Sequence, residues 1–236
     1  MGSFLPEHDS VRFAAIETST DWCSVALWRD GEISAIEREA GQRHAELVLP
    51  MLERLLERAR LGVEGLDAVA FGTGPGSFTG LRIACGIAQG LAFARGLPVI
   101  GVSTLEAIAE ESGASRALVC LDARMHEVYY AGFERYEGIW RETIAAACVA
   151  PGRVERPAGG GWTGCGNGFA AYGEALCAAL GGTLATVLPG IRPSAAALAR
   201  LAAVPLAAGR GRDAALAAPV YVRDKVALTS AERANR

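Results

Sequence analysis

Apolar residues along this chain fall into short runs separated by turn signals, with helical periods between some of them. Residues 12–18 form an apolar run that ends in Glu17-Thr18-Ser19-Thr20. A second run covers 22–28, and Asp30-Gly31 is a hairpin signal before a third at 32–39. Within 44–60 the apolar positions are 47, 48, 51, 52, 55 and 56, the spacing of a helix face. Pro50 lies inside that helix and predicts a kink or a delayed start. A buried strand is predicted at 66–71, then a glycine-rich turn, a helix at 81–95 and a strand at 98–102. The order so far is βββαβαβ.

The pattern then partly repeats. Strands are predicted at 117–122, 127–135 and 142–149, with Tyr136-Glu137-Gly138 as a turn. A Pro/Gly-rich connection at 151–161 leads to a short strand at 160–164, a helix at 168–180, a strand at 183–188 and a helix at 194–203. Glu17 and Asp122 occupy equivalent places, each closing the first strand of a three-stranded meander. Two copies of βββαβα opening on strands with terminal carboxylates outline the α/β architecture of actin, sugar kinases and Hsp70. The expected lobes are 1–105 and 106–236. In that architecture the acidic strand ends flank a nucleotide and its magnesium, so Glu17, Thr18, Ser19 and Asp122 are candidate nucleotide-proximal residues.

Composition narrows the function. The chain has 236 residues, 51% of them hydrophobic, which is enough for a large core, and a net charge of −3 argues against gripping RNA unaided. None of the six cysteines forms a C-x-x-C pair, and most lie in apolar runs, which fits a reducing cytosol. Residues 1–9 carry Glu7 and Asp9 and do not read as a secretion signal, and no apolar run is long enough to span a bilayer. The expected compartment is the cytoplasm.

The turn Gly72-Thr73-Gly74-Pro75-Gly76-Ser77-Phe78-Thr79-Gly80 joins a strand to a helix. A Walker loop would need a lysine at its end, and the one lysine is Lys225. The dinucleotide fingerprint fails because Thr79 stands where its third glycine belongs. What remains is a nest of backbone N–H groups at a helix N-terminus, capped by Ser77 or Thr79, with Gly76 and Ser77 as candidate anion contacts. The alternative is a tight turn plus cap with no ligand.

The helix that follows is apolar nearly all round and contains Gly86 and Gly90. Each interior glycine costs about 1 kcal/mol against alanine, which points to close approach by another backbone. One side should pack on the sheet and the other on a second subunit; the alternative is a helix buried all round inside a large monomer. The catalytic constellations are sparse. His8, His44 and His126 make no i, i+3 or i+4 pair, and Ser19, Ser77 and Ser103 lie in no Gly-x-Ser-x-Gly elbow, so neither a metal site nor a catalytic residue is assigned.

Ala15-Ile16-Glu17-Thr18-Ser19-Thr20, His44-Ala45-Glu46-Leu47-Val48-Leu49-Pro50, residues 74–83, Leu121-Asp122-Ala123-Arg124 and Pro219-Val220-Tyr221-Val222-Arg223 closely resemble the bacterial TsaB (YeaZ) family. The resemblance is dense over 12–135 and thin over 136–215. It implies an inactive cousin of TsaD that acts as a scaffold in tRNA threonylcarbamoyladenosine biosynthesis. It also implies pairing with a TsaD homologue through the first two helices, recruitment of the ATPase TsaE, and contact with tRNA only through the complex. In isolation the same face would form a homodimer. The expected contact residues are His44, Leu47, Val48, Met51, Leu52, Leu55, Leu81, Ala84, Ile87, Ala88, Gly90 and Leu91. No cofactor is required by this chain; ATP and a divalent metal are implied for the partner complex. The rival readings are an M22-type glycoprotease-like peptidase and a small actin-like kinase or nucleotide-binding protein.

Overall fold

The computed structural model describes residues 11–223; His8 and Lys225 lie outside them. The first sheet holds β1 (Phe13–Glu17), β2 (Trp22–Arg29), β3 (Glu32–Glu39), β4 (Ala68–Gly74) and β5 (Val99–Ser103), in the order β3-β2-β1-β4-β5. The second holds β6 (Arg116–Asp122), β7 (Val128–Tyr136), β8 (Ile139–Val149), β9 (Trp162–Cys165) and β10 (Leu184–Leu188), in the order β10-β9-β6-β7-β8. Counted from its own first strand, each sheet is wound alike. Its first three strands form an antiparallel meander, and the fourth and fifth add in parallel on the other side of the first. The chain is an α/β protein of the actin-like class, and the duplication predicted from element order is present in the strand order.

Both hairpins use the expected turns. Asp30 and Gly31 have φ of 52° and 83°, and Glu137 and Gly138 have 49° and 81°, the mirror-image turn whose twist suits two-residue loops. Helix α1 (His44–Ala59) runs through Pro50 without a break, contrary to the expected kink. Pro50 and Glu46 are both exposed, so the carbonyl left without a partner faces water. Helix α2 (Phe78–Phe93) starts three residues earlier than expected, because Ser77 caps it by accepting the Gly80 N–H at 3.3 Å. A helix absent from the sequence-based prediction, α3 (Thr104–Ser112), follows β5. Its N-terminus carries a readable cap, Ser103 accepting from the Glu106 N–H at 3.4 Å, and Gly113 ends it in the left-handed region. The second copy has no counterpart of α1, only a short 3-10 turn at Pro151–Arg153. Helices α4 (Gly168–Leu180) and α5 (Ala195–Ala207) complete it.

The layers interlock. Ala14 and Ile16 of β1 face α1 and α2, while Phe13 and Ala15 face α5, so β1 is buried on both sides. Helix α5, from the second half of the chain, covers the first sheet through Leu198, Ala199 and Ala202. Helix α3, which directly follows the last strand of the first sheet although the expected boundary at 105 would put most of it in the second lobe, covers the second sheet through Leu105, Ile108 and Ala109. Each half thus lends its last helix to the other. Glu110 of α3 pins the junction, accepting from Trp140 Nε1 at 2.9 Å and Arg200 Nε at 3.0 Å and pairing with Arg135. Helix α4 closes the far face, and α1 and α2 form the outer layer of the near one.

Candidate functional site

Strand β1 ends at the glycine-rich turn, and the two pack backbone against backbone. A Cβ on Gly80 would stand 1.9 Å from the Thr18 carbonyl oxygen, and one on Gly76 would stand 2.5 Å from that of Ser19. The Ser77 N–H donates to Ser19 O at 2.7 Å, and Thr18 Oγ1 donates to Gly80 O at 2.7 Å. These two glycines are therefore explained by contact within the chain. Glu17 lies beneath, 1% exposed, with Oε1 accepting the Ser19 N–H at 2.6 Å and Oε2 facing the Thr104 hydroxyl at 3.4 Å. Burial pushes its carboxyl pKa up, against the hydrogen bonds from Ser19 and Thr104 that pull it down.

Above this layer lies a cleft of about 320 Å³ between the halves. Ser19, Gly76, Ser77 and Asp122 line it, whereas Glu17 and Thr18 do not. The Asp122 N–H donates to Asn167 Oδ1 at 2.9 Å, just before α4. Its carboxylate accepts from the Arg124 N–H at 2.8 Å and the Tyr172 hydroxyl at 3.3 Å. The Arg124 guanidinium stands 3.5 Å from both Asp122 and Asp21, so one cation bridges the two halves across the cleft. Among the described residues, no three His, Cys, Asp or Glu side chains stand close enough together to hold a metal ion.

The second candidate surface is the outer helix pair. Of the twelve expected contact residues, His44, Val48, Met51, Leu52, Leu55, Leu81, Ala84 and Ala88 are buried in the chain's own core. As surface contacts these eight are corrected: a helix on a sheet turns its larger apolar residues inward, and His44 is held by its ring nitrogen 2.8 Å from Thr20 O. Leu47, Ile87 and Leu91 are half-buried at the edge, and Gly90 is exposed. The outward stripe of α2 is instead Phe78, Arg82, Gly86, Gly90 and Phe93, spaced by four and three, with Phe78 48% and Phe93 69% exposed. Any Cβ added at Gly86 or Gly90 would meet open space. The sequence does not single out Phe78, Arg82 and Phe93 because α2 is apolar on nearly every side; the i, i+4 spacing of Arg82, Gly86 and Gly90 is the available signal.

The protein-family model described as "TsaD: tRNA N6-adenosine threonylcarbamoyltransferase" matches residues 36–231. The Escherichia coli protein named "tRNA threonylcarbamoyladenosine biosynthesis protein TsaB" is 39% identical over 228 residues, covering 92% of this chain and 96% of that protein. This chain belongs to the TsaB family. The Haemophilus influenzae TsaB is 42% identical over 149 residues, 58% of this chain and 63% of that one. The solved structure of YeaZ from Pseudomonas aeruginosa is 38% identical, with a TM-score of 0.83 over 89% of this chain and 99% of that one. In this TsaB-family chain two of the three candidate nucleophiles are engaged as caps, Ser77 on α2 and Ser103 on α3, while Ser19 caps no helix and lines the cleft. Burial pushes the Cys23 thiol up to about 12, and Cys120 and Cys165 are likewise buried and raised.

Proposed function

We propose that this chain serves tRNA threonylcarbamoyladenosine biosynthesis as a non-catalytic scaffold that docks a TsaD homologue on the outer face of α1 and α2. The observation that carries the reading is the pair Gly86 and Gly90. Both face outward from the outermost helix, neither has a neighbour within 4 Å of its Cβ position, and each weakens the helix. Nothing among the described residues calls for glycine there, whereas a partner backbone approaching α2 would. Phe78 and Phe93 frame the stripe with apolar surface suited to an interface centre. Membership of the TsaB family supports the pathway. In this reading TsaE joins the pair, ATP and a divalent metal act in the complex rather than on this chain, and tRNA is met through the complex in the cytoplasm. Alone, the same face pairs with a second copy.

Co-expression with a TsaD homologue tests this. A stable heterodimer should co-purify, bury on the order of 1,600 Å² in total, and contain no self-paired scaffold. A chain that stays self-associated in the presence of the homologue would sink the reading. The peptidase alternative requires an activated nucleophile, and a proteolytic activity abolished by Ser19→Ala, Ser77→Ala or Ser103→Ala would favour it over the scaffold.

A further inference from the structure

After a short turn at Ala214–Leu216 the chain runs extended across the mouth of the cleft as residues 217–223, and Val220, Tyr221, Val222 and Arg223 line it. One main-chain bond ties this segment to the first sheet, the Val220 N–H donating to Thr73 O at 2.8 Å. Tyr221 lies over Phe78 at 5.5 Å between ring centroids, and its hydroxyl accepts from Arg82 Nε at 3.1 Å. Val220 and Tyr221 are still 52% and 48% exposed, so the segment gains little burial of its own. Its far end is different. The Arg223 side chain is 14% exposed, and its Nη2 donates to Ala123 O at 3.0 Å and to Glu127 Oε2 at 2.6 Å.

What Arg223 grips is a strained loop. Arg124, Met125 and His126 have φ of 60°, 55° and 59°, three successive L-residues in the left-handed region that each adopts reluctantly. The groups flanking that loop, Ala123 O and the Glu127 carboxylate, are the ones Arg223 brackets. From inside the loop Arg124 reaches across the cleft to Asp21. A continuous series of contacts therefore runs from the segment through Arg223 to the loop, and from Arg124 to the opposite wall.

We propose that residues 217–223 are a releasable strap latched by Arg223, which holds the cleft closed by fixing the loop 124–126. Releasing the latch opens the cleft and bares the part of Phe78, already 48% exposed, that Tyr221 covers. The strap is a property of this chain alone, whichever partner binds.

Hydrogen–deuterium exchange of the full chain tests it. In Arg223→Gln, amides of 123–127 and 218–222 should exchange at least about tenfold faster than in the wild type, while β6, β7 and α2 keep their protection. Glu127→Gln, which weakens the latch from the other side, should raise exchange over the same two segments. Tyr221→Ala should loosen 218–222 and leave 123–127 protected. The proposal is overturned if Arg223→Gln leaves 123–127 at wild-type rates, because the loop then holds itself. It is equally overturned if either latch variant accelerates the whole second sheet, because the guanidinium is then part of the core.

Discussion

At the residue scale, glycines with the same backbone freedom do opposite jobs. Gly80 sits where a methyl would strike a carbonyl that cannot swing aside, since Thr18, just past the end of β1, is fully buried. Gly80→Ala should cost about 1–3 kcal/mol as overpacking. Gly86→Ala enters open space and should raise monomer stability by up to about 1 kcal/mol. Urea unfolding of the two variants measures both signs, and equal effects would refute the distinction. Glu17 carries a pH dependence. Because burial raises its folded-state pKa above the ordinary 4.5, the folded chain keeps the proton to higher pH than the unfolded chain does. Its stabilising share is full below that value and is lost as pH rises through the raised one. Glu17→Gln keeps an acceptor for the Ser19 N–H without the charge. It should therefore melt above the wild type at about pH 8, with the gap closing towards about pH 4. A gap that does not change with pH would mean the carboxylate charge is not the cause.

At the element scale, α2 is decisive. Its inward face is Leu81, Ala84, Cys85, Ala88 and Ala92, small enough to lie close on the sheet. Its outward face carries the proposed docking stripe. Gly90→Leu adds bulk only on that outward side, so far-UV circular dichroism and melting should stay as in the wild type. Light scattering should show the loss of self-association, and the TsaD homologue should no longer be captured. Intact association on an intact fold would move the interface elsewhere. An unfolded variant would instead mean that this face is packed inside the chain.

At the scale of the whole molecule, the exchange of α3 and α5 makes the halves mutually dependent. A fragment of residues 11–113 keeps the complete first sheet but lacks α5, so Phe13, Ala70 and Val102 lose their cover. It should show no cooperative thermal transition, and a sharp melt of the isolated fragment would contradict the interlocked core. The same architecture places the cleft between the two first-strand ends, so Arg124 can bridge Asp21 and Asp122 only when both halves are docked.

The sequence by itself determined most of the elements, because alternation, helical period and turn residues are local. It marked both meanders, the turns at Asp30-Gly31 and Glu137-Gly138, the glycine turn with Ser77 or Thr79 as its cap, and the equivalence of Glu17 and Asp122. Helix α3 was also within reach, since Ser103 and Glu106 spell a cap. What the sequence left open were contacts between distant residues. The glycine turn gave no sign that Gly80 meets Thr18, a pairing 62 residues apart. An all-apolar α2 does not say which side faces out, and Ala84 and Ala88, expected at a partner, lie on the sheet. Nor did any local pattern say on which sheet α3 and α5 would land. An amphipathic helix specifies that it needs an apolar surface, and only the packed tertiary structure decides which surface that is.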